Sequence, residues 1–382
     1  MMEWKECTIG DLGKIVTGKT PKTSIPENYG GDISFLSPSD DMSNKTAPLT
    51  AKTITEFGLK EVKNSLLPKN SICVSCIGSD LGKVVLTDRP IVTNQQINSI
   101  ITNEDVDADY VYYLMTIVGK ELNFISKTST AVPIVNKSTF SNWDIKIPKE
   151  KTDQHRIASI LSSLDSKIET NNKINAKLEE MAQVLFKSWL EQCSDEILIK
   201  DLADNINDTQ KCNAGKVVLI NSSDVTEGNF EHHILSDNNN LKGHFKRRFK
   251  KGDILYSQVR PRNRHWGYCQ FDPNNYLAST QLMIIRNKPE MISSSLLYQY
   301  IIWDKVWLEF TNKTETRSGT FPQGNFEDLS ATKVPYGADR QKITTQLDAI
   351  RDKIYNYNEE NLRLSQLRDT LLPKLMNGEI EI

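Results

Sequence analysis

The feature that most restricts how this chain can fold is a long amphipathic segment written twice. "DQHRIASILSSLDSKIETNNKINAKLEEMAQVLFKSWL", from Asp153, and "DRQKITTQLDAIRDKIYNYNEENLRLSQLRDTLLPKLM", from Asp339, align without a gap at an offset of 186 residues. Identical pairs run through both: Asp153 with Asp339, Ile157 with Ile343, Leu161 with Leu347, Lys167 with Lys353, Ile168 with Ile354, Asn172 with Asn358, Asn175 with Asn361, Leu178 with Leu364 and Leu185 with Leu371. Chance likeness between amphipathic helices would stop at the helix ends. Here the offset continues upstream, setting Lys127-Thr128-Ser129-Thr130 on Lys313-Thr314-Glu315-Thr316 and Phe140 on Phe326. With small shifts, "ISFLSPSD" (from Ile33) resembles "VVLINSSD" (from Val217), "PKNSICVSCIG" resembles "KKGDILYSQVR", and Gln96 falls on Gln281. Self-similarity at so long a period marks a duplicated structural unit.

Each repeated segment carries an apolar seam of period 3.5. Its core positions are Ile157, Leu161, Leu164, Ile168, Leu178 and Leu185 in the first, and Ile343, Leu347, Ile350, Ile354, Leu364 and Leu371 in the second. Asn171 and Asn175, then Tyr357 and Asn361, occupy the middle of the seams, a coiled-coil pattern with a polar centre. Helices of roughly 37 residues would be about 55 Å long. Neither seam can be left in water, and the simplest cover for each is the other. Pro148 and Pro335 stand before the two starts as breakers, and Pro373 predicts a kink near the end of the second helix. The rest of the chain reads as short strands and turns followed by a helix, twice over. "SICVSCIG", "KVVLTD", "DILYSQV" and "STQLMII" read as strands; "DYVYYLMTIVGKELNFIS" and "SSLLYQYIIWDKVWLEFT" read as helices. The expectation is a duplicated α+β architecture of two mixed α/β regions, 1–150 and 193–338, separated by long helices at 151–192 and 339–382. A length of 382 residues agrees, being too great for one ordinary core.

Several motifs invite a chemical reading. "GKIVTGKT", Gly13 to Thr20, satisfies the P-loop pattern, which would make Lys19 and Thr20 nucleotide ligands in a hydrolase. A working P-loop opens a helix, whereas Pro21, Pro26, Gly30 and Gly31 follow here; a surface turn is the better reading. "CVSC", Cys73 to Cys76, lacks two further zinc ligands at suitable spacing and reads as buried strand. Six scattered cysteines, no membrane-length apolar run and no signal peptide point to a reducing, cytoplasmic setting. No metal-ligand or nucleophile constellation stands out, nor an Asn-Pro-Pro-aromatic or Asp-Pro-Pro-aromatic segment of an amino-methyltransferase. No catalytic residue is assigned.

The net charge is only −2, yet Lys242, Lys246, Arg247, Arg248, Lys250, Lys251, Arg260, Arg262 and Arg264 lie in one stretch against the single acid Asp253. Phe245, Phe249, Tyr256, His265 and Trp266 are interleaved with them. Cations beside flat rings suit phosphates and bases; the plain alternative is a solvated face with salt bridges.

At these residues the chain resembles the specificity (S) subunits of Type I restriction-modification systems. The opening "WKECTIGDLGKIVTGKTPKT", the run "STAVPIVNKSTFSNWDIKIPKEKTDQHRIASILSSLDSKIETNNKINAKLEEMAQVLFKSWL" and the C-terminal "LRDTLLPKLMNGEIEI" carry the likeness. One departure is that "DNINDTQKCN" stands in the second half where the first has "GKTPKT". The resemblance implies two target recognition domains, each reading half of a bipartite site in double-stranded DNA. It implies that the helices pack as an antiparallel coiled coil that spaces them and docks two methyltransferase subunits. A restriction/translocase subunit can complete the assembly. S-adenosylmethionine and ATP would belong to those partners, with no cofactor on this chain.

Arginine reads guanine and the amides of Asn and Gln read adenine, while lysines and hydroxyls mostly hold phosphates. The candidates in the second half are therefore Arg247, Arg248, Arg260, Arg262, Arg264 and Gln281, with Lys313, Thr314 and Arg317 on the DNA backbone. In the first half they are Lys19, Thr20, Lys22, Ser79, Gln95, Gln96, Lys127 and Thr128. Gln96 and Gln281 are equally consistent with buried structural amides. Phe186 and Trp189, near one helix end, are candidates for partner contact. A coiled-coil adaptor that binds only protein is the remaining alternative.

Overall fold

The computed structural model describes residues 2–78, 81–127, 135–239, 241, 243–316 and 323–382. The two repeated segments are long helices, Lys151–Leu190 and Arg340–Met376. The chain divides into two compact units, Met1–Thr170 with Glu360–Ile382, and Asn171–Glu359. Each unit therefore holds one globular region together with part of both long helices.

The first unit contains two four-stranded sheets. One is antiparallel, in the order Gly13–Thr17, Ile97–Thr102, Ile72–Ser75, Val84–Leu86. The other runs Lys52–Ile54, Tyr29–Leu36, Ile91–Thr93, Leu66–Leu67, with its central pair parallel. Ile72, Cys73 and Val74 of "SICVSC" are apolar in succession because their strand is covered on both faces. Ile72 and Val74 pack with Tyr110, Val111 and Met115 of the helix Ala108–Lys127. Cys73, one residue out of phase, packs with Val16, Leu36, Leu67, Val85, Ile91 and Ile97 from both sheets. Successive side chains of a strand alternate faces, so an uninterrupted apolar run is what a doubly covered strand requires.

The second unit repeats this plan strand for strand. Its antiparallel sheet runs Ala203–Asn205, Leu282–Asn287, Ile254–Ser257, Trp266–Tyr268. Its mixed sheet runs Leu235–Asp237, Lys216–Ile220, Tyr276–Ser279, Phe245–Arg247, again with a parallel central pair. Ile254 and Tyr256 face the helical side while Leu255 faces the other sheet. Even local capping is duplicated: Asp40 accepts from the Ser37 amide at 2.8 Å, and Asp224 from the Asn221 amide at 2.7 Å. One element differs from expectation. The predicted helix from Ser294 is broken by an extended Trp303 into Ser294–Ile302 and Asp304–Glu315.

Within each unit the helices are antiparallel. In the first, Asp165 pairs with Arg368 at 2.8 Å and Lys167 with Glu360 at 3.4 Å. In the second, Asn175 donates to Asn358 at 2.7 Å, Glu179 pairs with Arg351 at 2.5 Å, and Trp189 donates to the Asp339 carbonyl at 2.9 Å. The second helix continues through Pro373 to Met376. The seam is not covered by the partner helix alone. Ile157 and Leu161 belong to the first globular core; Ile343, Leu347, Ile350 and Ile354 belong to the second. Leu164, Ile168, Leu178, Leu185, Leu364 and Leu371 are half-buried. The seam residues that belong to the globular cores are sealed from water, as is Asn171 at the centre of the first helix, and the other apolar seam positions are half-buried.

That packing corrects one expectation. Phe186 and Trp189 are 2% and 4% exposed. Phe186 meets Tyr300 and Trp303 edge-on, with centroids 5.0 and 6.0 Å away, and stacks on Trp189 at 6.3 Å. They are core residues of the second unit and present no face to a partner. The aromatic pair expected to contact a partner is instead the anchor of the helix on its own globular region.

Candidate nucleic-acid interface

The P-loop reading fails on backbone geometry. Gly13–Thr17 is the edge strand of a sheet, and no helix follows it. A P-loop must leave its amides free for phosphate oxygens. Here the Gly18 amide donates to the Ile97 carbonyl at 3.1 Å and the Lys19 amide to the Thr93 carbonyl at 2.9 Å. Gly18 is glycine because a Cβ there would lie 2.0 Å from the Asn94 carbonyl oxygen.

The same turn gathers several of the candidate DNA contacts. Thr20 Oγ1 donates to Gln95 Oε1 at 2.6 Å. Asn94 Nδ2 donates to Gln96 Oε1, and Asn94 Oδ1 accepts from the Gln96 amide, both at 3.0 Å. Lys19, Lys22 and Gln95 are exposed, and Thr20 and Gln96 are half-buried. The Lys22 backbone is tied to Glu61 at 3.0 Å. Thus Lys19, Thr20, Gln95 and Gln96 form one amide-rich, cationic corner, to which the structure adds Asn94. Ser79, Thr128 and Arg317, and the side chain of Lys127, lie outside the described residues.

In the second unit the basic stretch separates into tied and exposed members. Arg247 donates to the Leu282 carbonyl at 2.8 Å, and burial pulls its guanidinium pKa down. Arg248 donates to the Asn274 carbonyl at 2.9 Å. Arg247 thereby ties the mixed sheet to the antiparallel one. Arg260 and Arg264 flank the tight turn Pro261–Asn263 in left-handed conformations, φ 48° and 53°. Arg260 is exposed. Arg262 is paired with Glu315. Arg264 lies 4.3 Å from the Trp307 ring centroid and 3.5 Å from Asp304. The one acid of the stretch, Asp253, is fully buried and pairs with Arg286 at 2.6 Å, so it does not neutralise the surface arginines.

Gln281 is exposed, accepting from Ser222 Oγ at 3.5 Å. Neither it nor Gln96 is a buried structural amide. The Gln281 carbonyl accepts from the Gln258 amide at 2.9 Å, and the Gln323 side chain reaches Gln258 Oε1 at 3.4 Å. Three glutamines therefore meet at the turn equivalent to the Gln95–Gln96 corner. Gln258 and Gln323 carry no motif in sequence; the only signal was the repeat, which sets "DILYSQV" on "SICVSCI" and hence Gln258 on Cys76. Cys76 keeps the same backbone bond, its amide donating to the Gln96 carbonyl at 2.8 Å.

One assignment to the DNA backbone changes. Thr314 is fully buried and donates its hydroxyl to the Phe310 carbonyl at 2.7 Å. It cannot touch a phosphate from there; a helical threonine beside glycine and phenylalanine packs inward. Lys313 is half-buried, its ammonium on the Asp328 carbonyl at 3.1 Å. The "CVSC" thiols are buried, which pushes Cys73 up to about 12 and Cys76 up to about 11. Among the described residues no group of three or more His, Cys, Asp or Glu side chains is placed to hold a metal ion, and no helix is long and apolar enough to cross a membrane.

Comparison with known proteins agrees with the duplication. A family model described as the Type I restriction modification DNA specificity domain matches twice, over residues 1–180 and 196–364. The Type I restriction enzyme MjaIX specificity subunit of Methanocaldococcus jannaschii is 25% identical over 417 residues, covering 100% of this chain and 94% of that one. The HindI specificity subunit of Haemophilus influenzae is 34% identical over 179 residues, 46% of this chain and 39% of the relative. A crystal structure of the S subunit from M. genitalium superposes with a TM-score of 0.59 at 18% identity, over 98% of this chain and 96% of that one, a likeness of fold. With a duplicated α+β plan, paired long helices and two matches to one specificity domain, the chain belongs to the family of Type I restriction-modification DNA specificity subunits.

Proposed function

We propose that each unit reads one half of a bipartite DNA site, that the long helices set the distance between the halves, and that two copies of a methyltransferase subunit dock on the chain. The observation that carries this is one strand plan bearing different side chains at an equivalent turn. The first unit offers Lys19, Thr20, Gln95 and Gln96; the second offers Gln258, Gln281, Gln323 and Arg260. Amide side chains suit adenine edges and arginine suits guanine, so two such corners would recognise different bases. Half-sites one helical turn apart lie about 34 Å from each other, within reach of helices this long.

Docking of two identical partners is supported by Met181 and Leu367. They occupy equivalent positions of the repeat and are 54% and 47% exposed, unusual for large apolar side chains. In this reading the chain contributes recognition and no chemistry. S-adenosylmethionine and ATP are held by methyltransferase and restriction/translocase subunits, and the assembly works in the cytoplasm. Methylome sequencing of the host tests it. Exchange of residues 1–150 for those of another such subunit should change one half-site, and a four-residue insertion near Asn172 should lengthen the spacer. Both half-sites changing together would refute two independent readers; unchanged methylation would favour an adaptor without DNA contact.

A further inference from the structure

We propose that two ion pairs of the same polarity, Asp165 with Arg368 and Glu179 with Arg351, each with its acid on the first helix and its arginine on the second, make the long helices accept each other and reject a second copy of themselves. The need for such a device follows from the duplication. Each helix resembles its partner closely enough that a helix of one chain has the wrong partner available in every other chain: its own copy.

Most of the seam does not distinguish these pairings. Isoleucine or leucine recurs at equivalent seam positions. Part of the polar centre is symmetric too, although Asn171 of the first helix falls on Tyr357 of the second. Asn172 and Asn358 are equivalent, as are Asn175 and Asn361, so the Asn175–Asn358 bond has an Asn–Asn counterpart in any antiparallel pairing. Lys167 and Glu360 are 45% and 42% exposed, and pairs so exposed contribute little.

The ion pairs do distinguish them. Arg351 is 3% exposed, grips both carboxylate oxygens of Glu179 and lies 4.9 Å from the Tyr298 ring. Asp165 accepts from Arg368 at 2.8 Å and from the Tyr113 hydroxyl at 2.5 Å. By the offset of 186 residues, position 351 corresponds to 165, 365 to 179 and 368 to 182. The first helix thus carries acid at 165 and 179, with Ala182. The second carries arginine at 351 and 368, with Ser365. In the chain's own pairing every acid meets an arginine. If two copies of the first helix paired, Asp165 of each would face Glu179 of the other. If two copies of the second paired, Arg351 of each would face Arg368 of the other. Every self-pairing sets like charges together twice, and like-charge juxtaposition is how interfaces suppress wrong partners. This holds whatever the globular regions bind. If they read half-sites as proposed, it keeps two different readers on one molecule.

The full-length chain tests this directly, because polarity can be changed while pairing is kept. In E179R/R351E the ion pair inside the chain survives reversed, although the cation beside Tyr298 is lost. Both self-pairings become attractive, since Asp165 now meets an arginine and Arg368 a glutamate. D165R/R368D does the same at the other pair, at the cost of the Tyr113 bond. All four substitutions together restore like charges to every self-pairing. Two differently tagged copies are co-expressed and purified through one tag, and mass is read by light scattering. The expected result is a single-chain mass without co-purification for the native sequence. Either double variant should raise co-purification tenfold or more, and the fourfold variant should return to the native level. Circular dichroism identifies a variant that has not folded, in which case the other double variant carries the test. Native copies that co-purify as readily as the doubles, or folded doubles that stay single, would overturn the proposal.

Discussion

Replacing Phe186 by alanine separates a core anchor from a docking residue. The ring is 2% exposed and is held by Tyr300, Trp303 and Trp189 at centroid distances of 5.0, 6.0 and 6.3 Å. Removing a phenylalanine so enclosed leaves a cavity that its rigid aromatic neighbours cannot close, and costs about 3–5 kcal/mol. At about 1.4 kcal/mol per decade of equilibrium constant, that is roughly a thousandfold loss in folding equilibrium for the second unit. Urea titration followed by tryptophan fluorescence reports on it, because Trp189, Trp266, Trp303 and Trp307 all lie in that unit. Met181→Ser, at a position 54% exposed on the same helix, should change stability by less than about 0.5 kcal/mol while weakening association with the methyltransferase subunit. The result that refutes this is the reverse pattern: Phe186→Ala within about 1 kcal/mol of the native chain but defective in association, and Met181→Ser without effect on association.

The remaining predictions are simpler. Gly18→Ala should destabilise the first unit, since its new methyl would lie 2.0 Å from the Asn94 carbonyl oxygen; a thermal melt unchanged from native would be incompatible with that turn. Gln281→Ala should alter recognition at one half-site in the methylome without changing the melt, because the side chain is exposed, whereas Thr314→Val should change the melt and leave the half-site alone. Cys73, Cys76 and Cys269, pushed up to about 12, 11 and 12 by burial, should resist iodoacetamide at pH 8 until the chain unfolds. The folded state holds those protons more tightly than the unfolded one, so their stabilising effect is complete below about pH 8.5 and declines as pH rises above it; mass spectrometry of the labelled chain reads the first effect and a pH series of melts the second.

Much of the architecture was legible because it rests on periodicity. The heptad seam, the doubly covered strands and the repeat are all patterns of apolar spacing, and water enforces them locally. Every seam position named from sequence is buried or half-buried. The P-loop match could also be doubted from sequence, since Pro21 and Pro26 cannot continue the helix such a loop requires. The site was less legible. A basic run gives the charges but not where they go, and of its arginines Arg247 and Arg248 are spent on carbonyl oxygens while Arg262 is paired with Glu315.

By itself the sequence determined that this protein is two versions of one plan tied to paired helices, because a repeat and a seam are properties of the linear order of residues. Tertiary structure alone decided which members of that order face water. Phe186 shares a helix with Met181 and looks no more buried in sequence, yet it is sealed by Tyr300 and Trp303 from more than a hundred residues away. Gln258, Gln281 and Gln323 acquire a common corner only when three turns converge. Whether a side chain is anchor or contact depends on what covers it, and the cover comes from distant parts of the chain.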